Sequence, residues 1–104
     1  MTKAEDDQRV KRGPRSQSYA ERYPRYRTNA LTEASFSSGR AAGCARAGGF
    51  ARNAAENARK NGDEAGARLY DDLAELQDEA AEVNEDIAHA YNLIARHYGA
   101  QVQA

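Results

Sequence analysis

Between Asp63 and Tyr98 the small and apolar positions recur in alternating steps of three and four: Gly66, Leu69, Leu73, Leu76, Ala80, Val83, Ile87, Ala90 and Ile94, closed by His97. That spacing is a heptad seam sustained over four repeats and predicts one long amphipathic helix. Tyr70, Tyr91 and Tyr98 widen the seam along one flank, and no proline interrupts it. Gly99 predicts its end, with His97 in a last turn that favours positive charge.

Residues 29–60 also read as helix, with a break allowed at Gly39. Thr28 or Asn29 suits the cap of a first segment through Ser37, and "GRAAGCARAGGFARNAAENARK" forms a second. Phe36, Gly43, Phe50 and Asn57 recur every seven residues, with Ala47 and Ala54 between them. A face of such small residues lets another helix approach closely. Gly43, Gly48 and Gly49 each cost about 1 kcal/mol against alanine inside a helix, so close packing is expected there. "KNGDE" is the punctuation between the two helices: Asn61-Gly62 suits a left-handed C-terminal cap and Asp63 the next N-cap. A link this short makes its flanking helices antiparallel neighbours. It loosely resembles the turn of tetratricopeptide repeats, but no second copy follows at that period, so it is read as a generic αα-hairpin.

Residues 1–27 are expected to form a separate arm. Gly13, Pro14 and Pro24 interrupt helix there, leaving room for one short helical piece over Ser18–Tyr23. The arm interleaves Arg15, Arg22, Arg25 and Arg27 with Tyr19, Tyr23 and Tyr26. The expected fold is therefore all-α: a basic arm, then a helical domain over residues 28–104. That domain is an antiparallel hairpin of a short or broken N-terminal helix and a long C-terminal heptad helix.

Composition thins the core of this picture. Of the 104 residues 22 are Ala, whereas Leu, Ile, Val and Phe together number 12. Alanine is the best helix former and buries the least. The six large aliphatics of the seam return roughly 1.5–3 kcal/mol each when fully buried, against an ordering cost of roughly 1–2 kcal/mol per residue. Either a homodimer, closing both seams into a four-helix bundle, or a heterologous partner is expected.

Charge sharpens the question of a partner. Residues 1–60 carry +7 and residues 61–104 carry −8, within a net charge of −1. The stretch "YDDLAELQDEAAEVNED" holds Asp71, Asp72, Glu75, Asp78, Glu79, Glu82, Glu85 and Asp86 and no Lys or Arg. In the heptad frame these eight lie on one contiguous side, away from the seam. Their like-charge pairs four residues apart each cost roughly 0.2–0.5 kcal/mol. At about 1.5 Å per residue they average one charge per roughly 2.8 Å, near the ~3.4 Å phosphate spacing of a nucleic-acid strand. A solvated face that keeps an Ala-rich protein in solution is the plain use of such a stretch. Docking on a basic protein surface is the functional one, and pairing with the chain's own arm is a third. For the arm, an untethered tail, an interface anchor built on Tyr and Arg, and phosphate neutralisation with base stacking stand in that order.

Other chemistry is weakly represented. Glu85, Asp86 and His89 lie one turn apart, but a di-metal bundle needs a second such motif and two further carboxylates. No nucleophile stands with a convergent base, and "GCARAGG" lacks the Lys-Ser/Thr of a phosphate loop. Cys44, without a partner cysteine, reads as a small buried hydrophobe in a reducing compartment. "MTKAEDDQRV" contains no signal-peptide core and no window approaches a membrane span. The expectation is a non-enzymatic protein of the bacterial cytoplasm without cofactor or metal, and its Ala/Arg/Gly-rich composition suggests a GC-rich bacterial or phage genome.

In size, acidity, helicity and lack of catalytic groups the chain resembles small phage-encoded inhibitors of the anti-CRISPR type. The resemblance transfers no individual residue. It implies a protein that blocks nucleic-acid access to a Cas surveillance complex. The residues themselves point to occupation of a basic, nucleic-acid-binding surface by the acidic face, with the arm's tyrosines and arginines as a second contact. A nucleic-acid-binding accessory protein using the arm, and a homo-oligomeric assembly protein using the seam, are the alternatives.

Overall fold

The two long helices are set by one turn. In the computed structural model, which describes residues 18–103 and the side chains of residues 18–101, α1 spans Tyr23–Lys60 and α2 spans Glu64–Gln103. Gly62 takes a left-handed φ of 78°, a conformation glycine adopts without steric cost. Asp63 N–H then donates to Ala58 C=O at 2.8 Å and Gly62 N–H to Arg59 C=O at 3.0 Å, the paired bonds of a Schellman ending. Asp63 also begins the next helix. Its Oδ1 accepts from Gly66 N–H at 2.9 Å while its carbonyl accepts from Ala67 N–H at 3.0 Å. One residue closes α1 and caps α2, so α2 must turn back along α1. The expected all-α antiparallel hairpin is what the chain forms.

The first helix is longer than its sequence suggested. A single 3₁₀ turn over Ala20–Arg22 leads into it, and Pro24 sits in its first turn, where no amide hydrogen is required. The expected arm therefore joins the helix from Tyr23 onward. α1 also runs unbroken through Gly39, around which a Cβ would meet open space. Likewise α2 continues through Gly99 to Gln103, and the Arg27 side chain lies across that glycine, 3.1 Å from where a Cβ would stand.

The face that joins the helices is not the aliphatic seam. The buried residues of α1 are Ala30, Ala34, Ser37, Ala41, Gly48, Ala51 and Ala55, a heptad run of small side chains. Against them α2 sets Ala67, Ala74, Ala88 and Ala95, with half-buried Ala81 completing a seven-residue repeat of alanine. Gly48 shows how close the approach is: a Cβ there would fall 2.6 Å from Asp78 Oδ1 and 3.5 Å from the Ala74 carbonyl. Ser37, fully buried, accepts from Arg40 Nη2 at 3.0 Å, and Arg40 Nε donates to Asn84 Oδ1 at 3.3 Å. The polar member of the seam is thus satisfied from its rim.

Leu69, Leu73, Leu76, Val83, Ile87 and Ile94, the seam expected to need a partner beyond α1, are all exposed, as are Phe36 and Phe50. Small residues win the interface because a stripe of alanines admits backbone-level contact along the whole helix, which a stripe of leucines would hold apart. Among the described residues no helix is long and apolar enough to cross a membrane.

Candidate interaction surface

Two grooves along the hairpin fix which residues share a side. One, of about 280 Å³, is lined by Tyr26, Asn29 and Glu33 of α1 and by Tyr91 and Ile94 of α2. Steps of seven from Asn29 reach Phe36, Gly43 and Phe50, and steps of seven back from Ile94 reach Ile87, Ala80 and Leu73. The second groove is lined by Leu31 of α1 and by His89, Asn92 and Arg96 of α2. Steps of seven from Leu31 reach Arg52 and Arg59, and from Asn92 back they reach Glu85, Asp78 and Asp71. The ribbon of two helices therefore has an apolar broad face and a polar broad face.

The eight carboxylates divide on this frame. Asp71 pairs with Arg59, and Asp78 with Arg52 at 2.6 Å, across the polar face. Both therefore flank the interhelical seam instead of standing away from it. Each pair is about half exposed, a setting in which ion pairs contribute ~0–1 kcal/mol. Asp72, Glu75, Glu79, Glu82, Glu85 and Asp86 are exposed, and no cation of the described residues pairs with any of them. Six charges from Asp72 to Asp86 average one per roughly 3.5 Å along the axis.

Tyr19, Tyr23, Tyr26 and Tyr98 are gathered at the end opposite the turn. Tyr19 and Tyr98 share a hydroxyl–hydroxyl hydrogen bond of 2.7 Å, and the Tyr23 and Tyr26 rings each stand 5.2 Å from the Tyr98 ring. Within this cluster the bond to Tyr19, then lost hydration and the neighbouring phenols, raise the Tyr98 pKa above its ordinary 10.0. These aromatics fasten the start of α1 to the end of α2, with Tyr23, Tyr26 and Tyr98 half-buried and Tyr19 exposed. Arg22 is half-buried, Arg25 is exposed, and Arg27 lies on Gly99. Arg15 lies outside the described residues.

Sequence reading missed the division of labour on α2. The signal was present in the five alanines from Ala67 to Ala95, seven apart, which form a second stripe beside the aliphatic seam. Among the described residues no three of His, Cys, Asp and Glu converge as metal ligands, Glu85, Asp86 and His89 included. Cys44 is half-buried beside the seam and free. The chain matches no protein-family model, no curated protein and no solved structure.

Proposed function

We propose that this chain is a non-enzymatic binding protein whose α2 docks on a basic protein surface, blocking it as a small inhibitor would. The observation that carries the reading is the set of six exposed carboxylates left without cations after Arg52 and Arg59 have taken Asp78 and Asp71. Their mutual repulsion is a standing cost to the helix, removed when a partner supplies the cations. Their spacing approximates that of strand phosphates, so a nucleic-acid-binding protein or ribonucleoprotein, such as a Cas surveillance complex, is the class of target favoured. Use of Tyr19, Tyr23 and Tyr26 to stack bases is disfavoured by their engagement with Tyr98.

The test reverses Glu75, Glu82 and Glu85 to Lys, which spares both ion-paired aspartates and the apolar face. Capture from host lysate at low and moderate salt should recover a basic protein complex with the native chain and lose it with the variant. The helical circular dichroism should be retained or rise, since like-charge pairs are relieved. Recovery of the same complex by the variant would remove the acidic face from the mechanism.

A further inference from the structure

Three features of the apolar face point to the same occupant. Phe36, Phe50, Leu69, Leu73, Leu76, Val83, Ile87 and Ile94 all lie exposed, with Phe50 71% and Leu69 70% accessible. With full side-chain areas of roughly 150–250 Å², they present on the order of 800 Å² together, the contribution of one partner to a standard interface and more than a monomer's usual largest patch of roughly 300–600 Å².

The second feature is charge. Arg46 stands two residues before buried Gly48, and Asp72, Glu79 and Asp86 stand two before Ala74, Ala81 and Ala88. Two residues turn a helix by about 200°, so these side chains form the outer edges of the ribbon. The α1 edge carries Arg25, Arg46 and Lys60, and the α2 edge carries Asp72, Glu79 and Asp86. The ribbon is cationic along one edge of its apolar face and anionic along the other.

The third feature is size. Along α1 the apolar face alternates Phe36 and Phe50 with Gly43, Ala47 and Ala54, and carries Glu33 and Arg40 on the stripe of those alanines, Arg40 being bonded to Ser37 and Asn84. By contrast, α2 presents mainly Leu, Val and Ile. Bulk on α2 complements space on α1.

We propose that a second copy of this chain covers the apolar face, forming a four-helix bundle about a two-fold axis parallel to the helices. That operation keeps every residue at its height and sets α1 of one copy antiparallel over α2 of the other. Gly48 touches Ala74 and Asp78, so Arg46 is level with Glu79 and faces Glu79 of the other copy. By the same register Phe50 reaches Leu73 and Leu76 of that copy, Val83 fills the space over Gly43, and Phe36 meets Ile87. The alternative two-fold axis, across the helices, stacks like-charged edges and is disfavoured. Glu75, Glu82 and Glu85 remain outside on the polar face, whereas Asp72, Glu79 and Asp86 of the same acidic set lie at the edge of the dimer, so the dimer leaves the first three to a basic partner.

Sedimentation equilibrium of the full chain tests the proposal. A particle of twice 11.4 kDa is expected, and Phe50→Glu with Leu76→Glu should give a monomer. Because that variant removes core contacts of the dimer and can unfold it, a charge exchange provides the second reading. Arg46→Glu alone and Glu79→Arg alone should each weaken the dimer about tenfold, whereas an equimolar mixture of the two should associate as the native chain does, as a heterodimer. A native chain that is monomeric at tens of micromolar overturns the proposal, as does a mixture no tighter than its components. A monomer that floats with neutral phosphatidylcholine vesicles would assign the face to lipid and overturn it equally.

Discussion

Gly48 and Tyr98 show how much of this hairpin depends on single side chains. At Gly48 any Cβ displaces the Asp78 carboxylate from its place against Arg52, and a larger side chain reaches the α2 backbone at Ala74. Gly48→Leu should therefore destabilise by about 1–3 kcal/mol, the usual cost of overpacking, measured by urea unfolding. Gly49 is the internal control: a Cβ there meets nothing within 4 Å, so Gly49→Ala should stabilise by about 0.5–1 kcal/mol. Tyr98 ties the two ends together with a proton that its neighbours hold. Its folded pKa is raised above 10.0, so it contributes stability fully below the unfolded pKa and loses it as pH rises through the folded one. Spectrophotometric titration of tyrosinate should show one late-ionising phenol among the six tyrosines, absent from Tyr98→Phe.

At the scale of the element, the turn decides orientation and α2 decides chemistry. Asp63 serves two helices, so Asp63→Ala removes the bond to Gly66 N–H and should cost about 1 kcal/mol in thermal unfolding, with Asp63→Asn recovering most of it. α2 is a helix of three stripes. Alanines every seven residues meet α1, aliphatics occupy the next stripe, and carboxylates occupy the third. A globular helix usually divides into one apolar and one polar face. A third stripe is what leaves an apolar surface exposed after the hairpin has closed. The heptad spacing of Leu69, Leu73 and Leu76 was legible in the sequence as helix, and correctly so. Its partner was not, because periodicity states which residues share a face and not what that face meets.

For the whole molecule, the two broad faces propose two separable behaviours. The proposed dimer would use the apolar face, and the proposed basic partner the polar face. Reversal of Glu75, Glu82 and Glu85 should abolish partner capture without altering the sedimentation of the dimer, whereas Arg46→Glu should do the reverse. Partner capture should also weaken with ionic strength, since exposed charges separated by more than ~8–10 Å are screened at physiological salt. The dimer, resting on apolar area, should respond far less.

Helix content, the turn at Asn61-Gly62-Asp63, and the concentration of acid on the second helix follow from the sequence alone, because propensity, capping and charge are local properties of the chain. Which of two heptad stripes becomes the interface is not local. It depends on how near two backbones can come, and alanine against alanine and glycine outcompetes leucine only when both helices carry small residues in matching register. The same juxtaposition brought Arg52 to Asp78 and Arg59 to Asp71, turned Phe36 and Phe50 outward beside the aliphatics, and closed Tyr19, Tyr23 and Tyr26 over Tyr98.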